Sequence, residues 1–360
     1  MSIKVYPDTK IYVACPANVA TGGPELLHQL SYHLKKDLNI DAYMYYYNFD
    51  DRRFETPVHP EYRMYGNPYV TKMNEIEDNK KNIIIVPEIR DGINLLQYFK
   101  NIRKDIWFLS VDNYYLSKLT KKDFFIPRAI NKIAKILFKK PLLNFDITSE
   151  EILKELVEKY DYKTDPLLKL ADFYMTNSYR GMKWFGDLKP LYYLSEYLNE
   201  DFLKTQTDLS KKENIVAFNP KKGFSFTKKI ISLAKDIKFV PLINMGRDKV
   251  IKTLRKAKVY IDFGNHPGKD RIPREAAILG CCVITGKRGS AAFFEDVPIP
   301  DEYKFEDKEE NIPKIIDKIK DCLENYEKRY EDFDYYREVI KNEPQKFIED
   351  LRKIFVKVEK

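Results

Sequence analysis

The sequence predicts an α/β chain of two halves, each a parallel sheet with helices on both faces. Three observations lead there. Short, continuous apolar runs such as Asn82–Pro87 (NIIIVP) and Lys258–Phe263 (KVYIDF) read as strands buried on both faces. Most are followed by a loop and an amphipathic helical stretch, a rhythm that pauses over residues 199–213 and then restarts. A chain of 360 residues also exceeds one small core, so two domains of ~150–200 residues are expected.

In the first half, Lys10–Cys15 (KIYVAC) is a buried strand and Pro16–Gly23 a glycine-bearing loop. Pro24–Leu38 is a helix with Leu26, Leu27, Leu30 and Leu34 on one face. Gly22 and Gly23 make either a plain tight turn or a place where backbone N–H groups approach a ligand at that helix N-terminus. Ile40–Tyr47 is the next strand, and Asp50–Tyr69 is an irregular loop. The strands Asn82–Pro87 and Asp105–Val111 end at Glu88 and Asp112. Acids just past strand carboxyl ends either cap turns or stand where open α/β sheets bind ligands.

Lys118–Pro141 differs from its surroundings. It carries Lys118, Lys121, Lys122, Arg128, Lys132, Lys135, Lys139 and Lys140 against Asp123 alone, with Ile130, Ile133, Ile136 and Leu137 at helical spacing. Such a helix packs its apolar face on its own domain or makes peripheral contact with an anionic membrane. Ser149–Tyr160 and Ser178–Phe185 read as helices, Ala171–Thr176 and Leu191–Leu194 as strands. They complete a first domain, 1–198, and the polar stretch 199–213 is expected to be a linker.

The second domain, 214–335, repeats the rhythm. Asn214–Phe218 is a strand, Asn219–Gly223 (NPKKG) a basic turn, Phe226–Ala234 a helix, Lys238–Ile243 a strand and Arg247–Ala257 a helix. After Lys258–Phe263 comes the stretch His266–Thr285 (HPGKDRIPREAAILGCCVIT). Pro273 opens a helix there and Gly280 ends it, the usual placement of both residues. Its loop and first turn hold Lys269, Asp270, Arg271, Arg274 and Glu275. Three cations at a helix N-terminus above a sheet edge suit a phosphate-bearing ligand. Gly286–Ala291, which includes Gly289 and Ser290, is a second basic, glycine-bearing loop. From Asp301 the chain is charged and helical with no strand expected after Phe305, and 336–360 is a terminal helix that could pack back on the first domain.

Composition narrows the class. A hydrophobic share of 44%, with 26 Tyr and 22 Phe, belongs to a globular chain. The four cysteines, Cys15, Cys281, Cys282 and Cys322, form no C-x-x-C pair, so neither a zinc site nor a disulfide framework is expected. There is no signal-peptide pattern and no apolar run of ~18 residues, so a cytoplasmic protein is expected. The +8 net charge permits an anionic partner, but the basic residues are interspersed with 55 acids and no nucleic-acid-binding motif occurs.

Taken in order, several of these segments carry a resemblance. They are Thr21-Gly22-Gly23 before a helix, the Asn219–Gly223 turn, the Arg-Glu-Ala-Ala-x-x-Gly helix Arg274–Gly280, the loop Gly286–Ser290 and the charged helical tail. The chain resembles a GT-B glycosyltransferase of the family-4 type. The resemblance implies two Rossmann-like domains facing across a cleft and transfer of a hexose from a nucleoside-diphosphate sugar to a glycan or lipid-linked acceptor, in polysaccharide or glycoconjugate biosynthesis. It implies that Glu275 binds the donor sugar or ribose. A basic pair would grip the diphosphate: Lys221 or Lys222 with Arg271 or Lys269. Asp270, Arg274, Gly289 and Ser290 complete the implied donor wall, and Gly22, Gly23 and Glu25 the acceptor or phosphate loop. Neither metal nor cofactor is implied. Among the candidate bases Glu25, Glu88 and Asp112, Asp112 is preferred.

The chain departs from the family pattern twice. Pro267 stands eight residues before Glu275, where the family has its first glutamate, and no histidine accompanies Asp112. The alternatives are a nucleotide-sugar epimerase of the same fold, which turns over its donor without an acceptor, and an inactive, transferase-like scaffold.

Overall fold

The computed structural model describes residues 2–120, 123 and 150–358. They form two compact units. The first comprises Met1–Thr176, Gly181–Tyr193 and Asp350–Lys360; the second comprises Asn177–Arg180 and Leu194–Glu349.

The first unit is built on strands β2 (Lys10–Pro16), β3 (Asp41–Tyr47), β4 (Tyr69–Val70), β5 (Ile83–Pro87), β6 (Arg103–Phe108), β7 (Phe173–Thr176) and β8 (Leu191–Tyr193). They lie in the order β4-β3-β2-β5-β6-β7-β8, all parallel. The apolar runs are central because both faces must be covered: Ile83, Ile84, Ile85 and Val86 are wholly buried. Strand order reverses between β2 and β5, and the loops after those two strands flank the crevice where such sheets accept ligands. Helix α1 (Gly22–Lys36) follows β2, and α2 (Val111–Leu116) lies just past β6. Ser110 caps α2 by accepting the Asn113 N–H at 3.0 Å.

The second unit has a parallel sheet of β9 (Glu213–Phe218), β10 (Lys238–Pro241), β11 (Ala257–Asp262), β12 (Cys282–Gly286) and β13 (Lys304–Phe305), in the order β10-β9-β11-β12-β13. Its reversal point lies between β9 and β11. Helices α3 (Phe224–Leu233), α4 (Arg247–Lys256), α5 (Arg271–Ile278) and α6 (Ile312–Glu324) follow strands β9, β10, β11 and β13, and α7 (Asp334–Ile354) comes later. One core joins sheet and helices through Val216, Tyr260, Ala276, Val283 and Ile315. The stretch 199–213 belongs to this unit, and Phe202 within it is part of the core.

One expectation fails. Beyond Phe305 the chain still makes a strand, β14 (Phe355–Lys357), paired in parallel with β1 (Ile3–Val5). Three residues carry no periodicity of their own; pairing with a distant segment creates the strand. The basic stretch 118–141 lies almost entirely outside the described residues. Of its described part, Lys118 pairs with Asp165. Among the described residues, no helix is long and apolar enough to cross a membrane.

Candidate functional site

The reversal point of the second sheet gathers most of the residues singled out in the sequence. The loop after β9 delivers Lys222. Its Nζ lies 2.9 and 2.7 Å from the two carboxylate oxygens of Asp270, which precedes the first turn of α5. Lys221 is exposed, and its backbone N–H donates to Asn219 Oδ1 at 3.0 Å. Of the two lysines in the turn, Lys222 is therefore the one directed toward the helix.

The three loops at this edge are held in close contact by glycines. Gly223 has φ +58°, and a β-carbon there would lie 2.2 Å from Phe263 O. Gly289 has φ +64°, and a β-carbon there would lie 2.1 Å from His266 O. Only glycine meets both the dihedral and the space. Ser290 N–H donates to His266 O at 2.8 Å, so it serves the loop itself. Arg180 Nη1 donates to His266 O and Pro267 O at 3.1 and 3.2 Å, and Asp296 accepts the N–H groups of Tyr179 and Arg180 at 2.7 and 2.9 Å. Pro267 is thus part of a braced loop.

Beneath that loop is a buried polar cluster. Asp262, at the end of β11, accepts the Gly264 N–H at 2.9 Å and the Tyr260 hydroxyl at 2.8 Å. Burial pushes the Asp262 carboxyl up, but the charges of His266 and Lys222 and the Gly264 N–H hold it below the ordinary range. His266 is wholly buried, 3.7 Å from Asp262 through Nε2 and 3.7 Å from Asp270 through Nδ1.

The other cations expected to grip a ligand differ in setting. Arg274 has no exposed surface; its guanidinium pairs with Glu196 and, at 2.9 Å, with Glu343, and also donates to Asp270 O and Lys269 O at 3.3 Å. Lys269 is buried as well, 2.7 Å from Glu343. Both cations are engaged inside the unit. Arg271 is half-buried at the start of α5, and Glu275 is buried one turn further on. Arg288, which sequence reasoning passed over, donates to Phe263 O at 2.6 Å and pairs with Asp307 at 2.9 Å. Neither Glu196 nor Glu343 gives any local signal, since each matters only through a partner brought in by the fold.

The first unit's reversal point holds a second set. Gly22 and Gly23 open α1, and a β-carbon on Gly23 would sit 3.4 Å from the Leu109 side chain. Glu25 is buried in the first turn. Glu88, directly after β5, is buried and accepts the Leu109 N–H at 3.2 Å. Burial raises its carboxyl to about 7, against the opposing hydrogen bonds from its own N–H, that of Leu109 and the Asn113 side chain. Asp112 is buried in the first turn of α2.

No protein-family model matches the chain. No curated protein matches it in sequence. Solved structures do match in fold. Sucrose-phosphate synthase from Thermosynechococcus elongatus aligns over 93% of this chain and 94% of its own, with 11% identity and a TM-score of 0.59. Anabaena HepE, solved in complex with UDP-glucose, aligns over 95% of this chain and 98% of its own, with 10% identity and a TM-score of 0.56. S. aureus TarM, solved with UDP, matches 77% of this chain with 14% identity and a TM-score of 0.45; the chain spans 57% of that protein's length. At these identities the likeness is one of fold: an α/β chain with parallel sheets of the GT-B glycosyltransferase type.

Proposed function

We propose that the chain is a metal-independent glycosyltransferase that moves a hexose from a nucleoside-diphosphate sugar to a glycan or lipid-linked acceptor. The Lys222–Asp270 pair at the second sheet's reversal point carries this reading. It is a half-buried cation held at a helix N-terminus by an anion that a diphosphate can replace. The fold it shares with HepE, solved with UDP-glucose, supports it.

The chemistry follows from charge. As the bond from the anomeric carbon to the leaving diphosphate breaks, negative charge grows on the departing oxygen. Lys222 and Arg271 offset that charge; one well-placed donor lowers such a barrier by ~2.7–4 kcal/mol. Glu275 orients the sugar by accepting hydrogen bonds from its hydroxyls. The acceptor's proton needs a carboxylate base. Asp112 and Glu88 both qualify, and a carboxyl at about 7 makes Glu88 the better-matched base near neutral pH. The reaction takes place in the cytoplasm, at the inner membrane face when the acceptor is a lipid, with the basic stretch 118–141 gripping anionic headgroups.

The test is a thermal-shift screen of UDP, GDP, ADP and their sugars, followed by transfer of a radiolabelled sugar to lipid-linked and glycan acceptors. A ligand at ~100 times its dissociation constant stabilises by ~2.7 kcal/mol, a readily seen shift. Failure of every nucleoside diphosphate to shift melting rejects the reading. Consumption of the donor with no acceptor present points to epimerase chemistry instead.

A further inference from the structure

We propose that Asp262, His266 and Asp270 form a binding site for one divalent transition-metal ion, which pins the loop beneath the candidate donor site. The site goes beyond the transferase reading and is structural: transfer proceeds on the protein's own cations.

The cluster meets the geometric requirement. One ligand atom from each residue can be chosen so that all lie within 4.8 Å of one another. Four-coordinate ions with bonds of ~2.0–2.2 Å hold their ligand atoms ~3.3–3.6 Å apart. An imidazole gives an ion one nitrogen; Nε2 lies 3.7 Å from Asp262 and Nδ1 3.7 Å from Asp270, each wider than a hydrogen bond, so either nitrogen can face an ion with small side-chain adjustment of the other carboxylate.

The second observation is the state of the imidazole. His266 has no exposed surface, yet among the described residues neither Nδ1 nor Nε2 has a partner within hydrogen-bond distance. A buried polar side chain left in that state is costly unless something else engages it, and an ion is one such partner. The two carboxylates, beside the Lys222 ammonium, can each serve as an oxygen ligand. Nitrogen with two carboxylate oxygens is the mixed ligand set that zinc, manganese and cobalt accept; calcium and magnesium prefer oxygen alone. An ion there also takes a share of Asp270 from Lys222, linking the metal to the cation above it.

No run of sequence announces this site. The ligands come from the end of β11, the following loop and the residue before α5, and it is the loop's fold that turns them inward.

The test uses the full chain, stripped of metal by chelation and dialysis. Mn²⁺ binding is read by electron paramagnetic resonance and calorimetry, and Zn²⁺ binding by competition with a chromophoric chelator. One ion per chain is expected, with affinity falling ~100-fold or more in Asp262→Asn and Asp270→Asn. In Lys222→Met affinity should rise, because the ammonium no longer competes for Asp270. Circular dichroism verifies each fold, and Lys222→Met stays informative if a buried-site substitution does not fold. Binding only in the millimolar range by the unaltered chain, affinity unchanged by Asp270→Asn, or no gain in Lys222→Met overturns the proposal. Each of those results leaves the transferase reading standing, because nucleotide binding is measured separately.

Discussion

Lys222 Nζ contacts both carboxylate oxygens of Asp270, at 2.9 and 2.7 Å, tying the loop after β9 to the start of α5. The pair is half-buried, so the ammonium is partly desolvated and already oriented before any ligand arrives. Under the proposed transferase reading, a diphosphate has only to exchange one anion for another, which keeps the reorganisation cost of binding low.

Replacing Lys222 by Met should abolish the thermal shift with nucleoside diphosphates and lower turnover ~100-fold or more. Melting without ligand should change little, because the pair is partly solvated. Asp270→Asn removes the competing anion and should keep or tighten nucleotide binding. Unaltered nucleotide binding by the Lys222→Met chain sinks the donor-site assignment.

Arg274 separates a structural role from a binding role. Arg274→Met leaves the buried carboxylates of Glu196 and Glu343 without this partner. Breaking a buried ion pair by removing one member costs about 3–5 kcal/mol. A melting temperature that falls steeply, with nucleotide affinity preserved in the chain that stays folded, is the expected outcome. A binding residue gives the reverse, and calorimetry tells them apart.

Glu88 should imprint a pH dependence on stability. Its carboxyl titrates at about 7 in the folded chain against an ordinary value of 4.5, because burial disfavours the charged form. The folded chain therefore holds a proton that the unfolded chain has released. This contribution is complete below pH 4.5 and is lost as pH rises to about 7, by about 3 kcal/mol. Glu88→Gln should flatten that slope in denaturant titrations from pH 4 to 8. If Glu88 is also the base, the rise of turnover through pH 7 disappears with it.

The glycines at the loop contacts should resist substitution unequally. Gly223→Ala and Gly289→Ala add a β-carbon at positive φ and about 2 Å from a carbonyl oxygen, so both strain and collision apply. A loss of at least ~2 kcal/mol and weakened nucleotide binding are expected. Gly66 also has positive φ, +58°, but a β-carbon there meets nothing within 4 Å. Gly66→Ala should cost only the dihedral term, ~1–2 kcal/mol. Equal losses at the three sites would show that the loop contacts matter little.

Much of the fold was legible because its strands are locally encoded. Ile83–Val86 and Val259–Ile261 are apolar without alternation, and that pattern survives only between two layers of helices. Gly280, at φ +85°, stops α5 by its own backbone limits, whereas α5 begins at Arg271, two residues before the Pro273 expected to open it. The short pairings β1–β14 and β12–β13 escaped because two or three residues hold no period, and only a distant partner makes them strands. The candidate site was half legible. Lys222, Asp270 and Arg271 stand out as charges at strand and helix ends, whereas Arg274 looks the same in sequence and lies in a buried network with Glu196 and Glu343.

Sequence by itself determined the two βα halves, the position of each reversal-point loop and the cations those loops carry. Local propensity and burial period act within ten or so residues and need no knowledge of the rest of the chain. Tertiary structure alone decided which charges are paired off, and with which partners. It set Glu343 against Arg274 and Lys269, Asp270 against Lys222, and His266 between Asp262 and Asp270. Those outcomes depend on desolvation and on distances between segments far apart in the chain, and the linear order of residues contains neither.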